Sequence, residues 1–209
     1  MIKAVIWDID GTLVDSEPLH LVALQTVCDR YRVDISDLRD DCFIGVSVHG
    51  VWNALHRRFP PDLAIDAWVD ELNTIYAAGA SSLAPQPGAL CVIGSLASRG
   101  IRQAAVSNSN RAVVDANLKS LGIVDRLEFS LSLDDVENGK PSPEPYLRAL
   151  DRLGLYPAQA LAVEDSRTGV RSAKAAGIGT IGLGTHELGA DKQVSRLNEI
   201  LELFDLARA

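Results

Sequence analysis

Two aspartates, Asp8 and Asp10, stand one residue apart at the end of a short apolar run, Val5 to Trp7. Carboxylates that close raise one another's pKa unless a positive charge or a metal ion holds them. Later in the chain come Ser107-Asn108-Ser109-Asn110, then Lys140 within "NGKPSPEPY", then Glu164-Asp165-Ser166. Asp8, Asp10, Glu164 and Asp165 would bring up to four carboxylates into one cleft. A hard divalent cation would relieve such a cluster, and magnesium prefers carboxylate oxygens, waters and substrate phosphate as ligands. Lys140 and the Ser107 hydroxyl would suit the non-bridging oxygens of a phosphoryl group. With that charge balanced, a carboxylate could attack phosphorus and form an aspartyl-phosphate. Each group also has a local role open to it. The Asp-x-Asp can shape a turn, Ser107–Asn110 can cap a helix, Lys140 can be an ordinary exposed lysine, and Glu164-Asp165-Ser166 can cap the helix expected near Thr168. Their placement relative to one another decides between these readings.

That placement follows from the elements. Val5–Trp7 reads as a buried strand running into an Asp-x-Asp-Gly turn. From Ser16, a plausible N-cap with Pro18 in the first turn, "SEPLHLVALQTVCDRY" carries apolar residues at helical spacing. Helices are also predicted over 48–58 and 63–78, so residues 15–83 are almost purely helical. After "APQPGA" the pattern alternates: helices 88–99, 110–121, 143–153, 168–176 and 194–207, with strands 103–107, 127–132, 160–163 and 179–183 between them. Such alternation implies βαβ units and a parallel sheet. The first strand must join that sheet, since alone it could not bury both faces. The expected fold is α/β: a Rossmann-like parallel-sheet core with helices on both faces, residues 1–14 and 84–209, and an all-helical insertion, 15–83. Ligands of open parallel sheets bind at the carboxyl ends of strands. Asp8 and Asp10, Ser107–Asn110 and Glu164–Asp165 all follow strands, and Lys140 lies in the loop beyond another. Four separate segments therefore converge on one rim.

Composition bounds the partners. Of the 209 residues 47% are hydrophobic and 23% charged, which suits a packed globular core, and the net charge is −8. That charge opposes general nucleic-acid or anionic-membrane binding while leaving a small anionic substrate open to a local cation. Cys28, Cys42 and Cys91 show no metal-like spacing. Their odd number, with no signal-peptide pattern, leads us to expect a cytoplasmic protein. Nothing in the sequence demands an obligate protein partner. "GIGTIG" fits G-x-G-x-x-G, but a helix precedes it and a strand follows, the reverse of a dinucleotide-binding turn.

These motifs carry a resemblance. "DIDGTLVDSEP" resembles the first motif of the haloacid dehalogenase superfamily, "VSNS" its second, "GKPSPEPY" its third and "VEDSRTGVRSAKAAG" its fourth. The helical insertion after the first motif is similar to that family's cap. The resemblance implies Asp8 as nucleophile and metal ligand. It implies Asp10 as acid and then base, its backbone carbonyl also on the metal, with Ser107 and the Asn108 backbone N–H on the phosphoryl group. Lys140 would bridge that group and Asp8; Asp165 would bind Mg2+, with Glu164 a ligand or just behind one. Thr12 is expected to shape the turn. Because an aspartate stands at position 10, an oxygen leaving group is favoured, and with it a phosphatase over a dehalogenase.

Three functions fit these motifs: a magnesium-dependent phosphatase of a small phosphorylated metabolite such as a sugar phosphate; a beta-phosphoglucomutase-like phosphosugar mutase; and a non-enzymatic phospho-aspartate signalling module. Receiver domains are shorter and lack the helical insertion. In the mutase branch, whose substrate loop resembles Cys42–Leu55, an arginine follows the "GVS" serine; here Val48 and then His49 follow it. The branch's cap lysine also has no clear counterpart between Asp70 and Tyr76, so His49 or Arg57 would have to substitute. His20 and His49 are the candidate substrate contacts of the insertion. Trp7, Trp52 and Trp68 are expected to pack.

Overall fold

The structure is a computed structural model that describes residues 1–39, 42–43 and 46–206. Strand β1 (Ala4–Trp7) is central. Its side chains alternate as the pleat requires: Val5 and Trp7 join one apolar cluster, Ala4 and Ile6 the other, and all four are fully buried. A two-residue strand β2 (Val14–Asp15) then leads into α1 (Glu17–Arg30), α2 (Val48–Leu55) and α3 (Ile65–Gly79). The chain returns through β3 (Ala84–Pro85), which pairs antiparallel with β2. The helical excursion therefore leaves and rejoins the sheet at one place.

Beyond β3 the alternation is regular: α4 (Ala89–Ser98), β4 (Arg102–Val106), α5 (Arg111–Leu121), β5 (Ser130–Leu131) and α6 (Glu144–Leu153). β6 (Ala160–Glu164), α7 (Arg167–Ala175), β7 (Gly179–Leu183), β8 (Lys192–Val194) and α8 (Glu199–Leu206) complete it. The strands form a parallel sheet in the order β5-β4-β1-β6-β7-β8. Helices α4, α5 and α8 pack on one face, and α6 and α7 on the other. The α/β expectation holds.

Helices α1–α3 have an apolar centre of their own, with Val27, Leu55, Phe59 and Trp68. A smaller cluster, Leu19, Ala23 and Tyr76 with Val113 of α5, joins them to the sheet layer. Trp7 is core, as expected, and its indole N–H donates to Gln103 Oε1 at 3.0 Å; Gln103 Nε2 in turn donates to the Ile93 carbonyl at 3.0 Å. Among the described residues no helix is long and apolar enough to cross a membrane.

Several expectations need correction. The strand predicted over 127–132 shrinks to Ser130–Leu131, since edge pairing with β4 covers only these two residues and Ser132 already caps the 3-10 turn Leu133–Asp135. The helix predicted over 194–207 begins at Glu199, and residues 192–194 are instead the edge strand β8; position 207 lies outside the described residues. Lys192 and Gln193 are exposed on that edge, so the strand has no alternating apolar signal. The helix over 48–58 divides into α2 and a 3-10 turn, His56–Arg58. Ser16 precedes α1, but its side chain makes no capping bond. The glycines of "GIGTIG" do end a helix: Gly177 sits at φ +77 after α7, and β7 starts at Gly179.

Gln103→Leu keeps the volume but leaves the Trp7 indole N–H unpaired in the core. It is expected to cost about 1–3 kcal/mol, read as a lower urea midpoint. An unchanged midpoint would mean that this buried network carries no stability.

Candidate active site

Strands β4, β1 and β6 lie side by side, so their carboxyl ends present Ser107, Asp8 and Glu164 together. The Asp8 N–H donates to the Val163 carbonyl at 2.9 Å, which extends the β1–β6 ladder to the reactive residue itself. Asp8 and Lys140 are each 8% exposed, and Glu164 is fully buried. The Lys140 ammonium donates to Asp8 Oδ1 at 2.5 Å, to Glu164 Oε1 at 2.6 Å and to the Val106 carbonyl at 3.0 Å. Tyr146 Oη donates to the same Glu164 oxygen at 2.5 Å. Lys140 is held in turn by Asn108, whose side-chain amide donates to the Lys140 carbonyl at 2.9 Å and accepts from its N–H at 2.7 Å.

Carboxylate oxygens of Asp8, Glu164 and Asp165 lie within 4.8 Å of one another. Glu164 Oε2 is buried without a hydrogen-bond partner. Three oxygen donors and one unpaired buried acceptor fit a hard cation. The backbone makes room for them. Gly11 has φ +78, and a Cβ there would lie 2.1 Å from Asp165 Oδ2; a Cβ on Gly169 would lie 1.7 Å from Glu164 Oε2. Thr12 serves the turn, as expected: it is buried and donates to Asp165 Oδ1 at 3.2 Å. The run Glu164-Asp165-Ser166 divides by task, for Ser166 Oγ caps α7 by accepting from the Gly169 N–H at 3.0 Å.

Burial is the largest influence on Asp8; with the negative charge of Glu164 it outweighs Lys140 and pushes the carboxyl up to about 7. Asp165 is likewise pushed up to about 7, by burial and then by the charge of Asp8. Burial alone would lower Lys140, but the charges of Asp8 and Glu164 raise it, so the ammonium stays protonated. Asp10 is opposite in character. Burial would raise it, but hydrogen bonding and charge from His20, with further hydroxyl donors, hold it well below the usual carboxylate range.

Asp10 faces a different set of groups from Asp8. Its Oδ2 accepts from Ser107 Oγ at 3.0 Å and Ser109 Oγ at 2.9 Å, and its Oδ1 accepts from Asn117 Nδ2 at 2.9 Å. His20 Nε2 of α1 lies 3.5 Å from Oδ1. The His20 ring packs on Tyr76 of α3 with centroids 4.4 Å apart, and Tyr76 Oη donates to Asn117 Oδ1 at 2.7 Å.

A cavity of about 790 Å³ opens over this rim and is lined by Asp8, Asp10, His20, Ser107, Asn108, Lys140 and Asp165, among others. Glu164 sits beneath it. His49 is exposed on α2 and does not line the cavity. The substrate-loop expectation falls partly on 44 and 45, which lie outside the described residues. Trp52 and Trp68 pack in the helical segment's own core, where Trp68 also borders the cavity. Sequence reasoning missed Ser109, Tyr76 and Asn117. Asn117 carried a signal, as the one amide on the apolar Val113, Val114, Leu118 and Leu121 face of α5.

The family model described as haloacid dehalogenase-like hydrolase matches residues 5–183. A phosphoglycolate phosphatase of Rhodospirillum rubrum is 36% identical over 193 residues, covering 85% of this chain and 78% of that one. The crystal structure of CbbY from Rhodobacter sphaeroides in complex with phosphate superposes with TM-score 0.87 at 27% identity, covering 96% of both chains. A mutant of that CbbY in complex with xylulose-1,5-bisphosphate gives TM-score 0.85 at 27% identity, over 94% of this chain and 95% of that one.

The raised carboxyls set a pH dependence. Asp8 and Asp165 titrate near 7 in the fold against an ordinary 3.8, so between these values the folded chain binds more protons than the unfolded chain. Without a cation their contribution to stability therefore falls as pH rises across that window, and a bound divalent cation opposes the loss. Thermal unfolding with chelator and with divalent cation should show a larger cation increment at about pH 8 than at about pH 5. An increment that is constant or shrinks would contradict the cluster's role.

Proposed function

The chain belongs to the haloacid dehalogenase-like hydrolases, and we propose that it is a magnesium-dependent phosphatase of a small phosphomonoester, acting through an aspartyl-phosphate on Asp8. The observation that carries this reading is the setting of Asp8. It is a strand-end carboxylate held by Lys140, beside two further carboxylates suited to a cation, at the floor of a cavity. Asp8, Asp165 and Glu164, with the Asp10 backbone carbonyl, would hold the Mg2+. Bound there, the cation would offset the charge of the carboxylates and of the phosphoryl oxygens.

The chain's own groups then divide the work. Asp8 attacks phosphorus while the bond to the leaving oxygen breaks, and Asp10 gives that oxygen its proton. Asp10 next takes a proton from water, whose oxygen attacks the aspartyl-phosphate and releases phosphate and Asp8. Ser107 Oγ, now donating to Asp10, turns to a phosphoryl oxygen, and the Asn108 N–H joins it. Losing that donor and gaining a nearby anion both raise Asp10, which prepares it to carry the proton it must deliver. Lys140 keeps its place between Asp8 and the phosphoryl group, anchored by Asn108.

Residues 1–14 and 84–209 are proposed as the catalytic core and 15–83 as a helical cap over it. The segment's own apolar centre and the adjacent β2 and β3 crossings support this division. A phosphosugar mutase is less favoured, because His49 is exposed away from the cavity and Arg57 does not line it. Asp8→Asn is expected to retain the fold and to lower kcat by about 10³-fold or more for any hydrolysed phosphoester. Retained turnover in that variant would refute the nucleophile.

A further inference from the structure

The cavity over Asp8 has two unlike walls. The rim is polar and charged. The helical segment adds an apolar set to the lining, Leu21 and Leu24 of α1, Phe43, Val46, Val51 of α2 and Leu72 of α3. Val46 is 42% exposed, an apolar side chain left open at the cavity. Among the described lining residues, the side chains that are or can become cationic are Lys140 and His20. Both face the catalytic rim: Lys140 spans Asp8 and Glu164, and His20 faces Asp10. The lining groups beside the rim at the start of the helical segment, Asp15 and Glu17, are acidic. The segment's arginines lie elsewhere, with Arg30 against Glu71 and Arg58 on Asp37, and none lines the cavity. Positions 40, 41, 44 and 45, outside the described residues, are Asp, Asp, Ile and Gly, so none adds a cation.

Resting on the phosphatase reading above, we propose that the substrate is a monophosphate ester of an uncharged alcohol with a largely apolar body. One phosphate would meet Lys140 and a cation held by the Asp8, Glu164 and Asp165 carboxylates. A second phosphate or a carboxylate would have to leave water for an apolar wall without a counter-charge, which burial penalises strongly. An alkyl or similar body would instead be removed from water against that wall, at a gain proportional to its apolar area. Ser47 and Asn73 also border the cavity and supply neutral hydrogen-bonding groups that a hydroxyl could meet without charge. Recognition by this chain therefore differs from what a bisphosphate or phosphoglycolate requires.

The test is steady-state kcat/KM in Mg2+ for ethyl, butyl and hexyl phosphate, phosphoglycolate, xylulose-1,5-bisphosphate and p-nitrophenyl phosphate. The proposal expects kcat/KM to rise along the alkyl series. Hexyl phosphate should exceed both anionic substrates by about a hundredfold or more. Phosphoglycolate or the bisphosphate matching or beating hexyl phosphate, with p-nitrophenyl phosphate hydrolysed, overturns the proposal and leaves the phosphatase reading standing. Turnover of none of the esters overturns both. Val46→Arg, at an exposed position on the apolar wall, should raise the bisphosphate about tenfold relative to hexyl phosphate. No relative gain would count against that wall as the part that meets the substrate's body.

Discussion

A lysine ammonium buried between two buried carboxylates sets the terms for the rest of the molecule. Asp8, Glu164 and Asp165 share a space less than 5 Å across, in surroundings that exclude most water. Three carboxylates so placed would take up protons unless positive charge met them. Lys140 meets two of them, and Tyr146 donates to one of the same oxygens. What remains is an excess of negative charge and an unpaired Glu164 oxygen, the conditions under which a cation stabilises rather than disturbs. Buried pairs of this kind rarely add stability over an apolar core, so their presence is better explained by chemistry than by folding.

The sheet supplies the convergence. Because β4 and β6 flank β1, three strand ends meet without any long loop, and only Lys140 has to be brought in from the connection between β5 and α6. Asn108 fastens that loop at two points. Asp10 belongs to a second circuit, joined to α5 through Asn117 and to α1 and α3 through His20 and Tyr76. The proposed proton carrier is thus in contact with both the sheet layer and the helical segment. A shift of the helices relative to the sheet would alter the hydrogen bonds that set its acidity.

Much of this was legible in the sequence, for reasons that differ by region. β1 could be read because both of its faces are buried and a turn follows at once. The four chemical segments could be read because strand ends collect ligand-binding residues in parallel sheets. β8 could not, since an exposed three-residue edge strand with Lys192 and Gln193 has no pattern to detect. The cap positions could be read, for Ser16, Asn110 and Ser166 precede α1, α5 and α7, but of these only Ser166 makes the capping bond. Ser16 makes no capping bond, while the N-terminus of α5 is met by Asp134, which accepts from the Arg111 N–H at 2.6 Å. His49 has the type and loop of a substrate contact, yet Val48 lines the cavity while its neighbour His49 is exposed, a one-position difference that only the helix settles. Tyr76 and Asn117 needed the tertiary fold, because their partnership joins helices 41 positions apart.

Transfer of the phosphoryl group to the Asp8 carboxylate is open to a direct measurement: acid-quenching the Mg2+-loaded enzyme during turnover of a phosphorus-32-labelled ester and mapping the label by peptide. Label is expected on the peptide that bears Asp8, and is expected to be absent in Asp8→Asn. Phosphate release with no protein-bound label, or label on another residue, would contradict it.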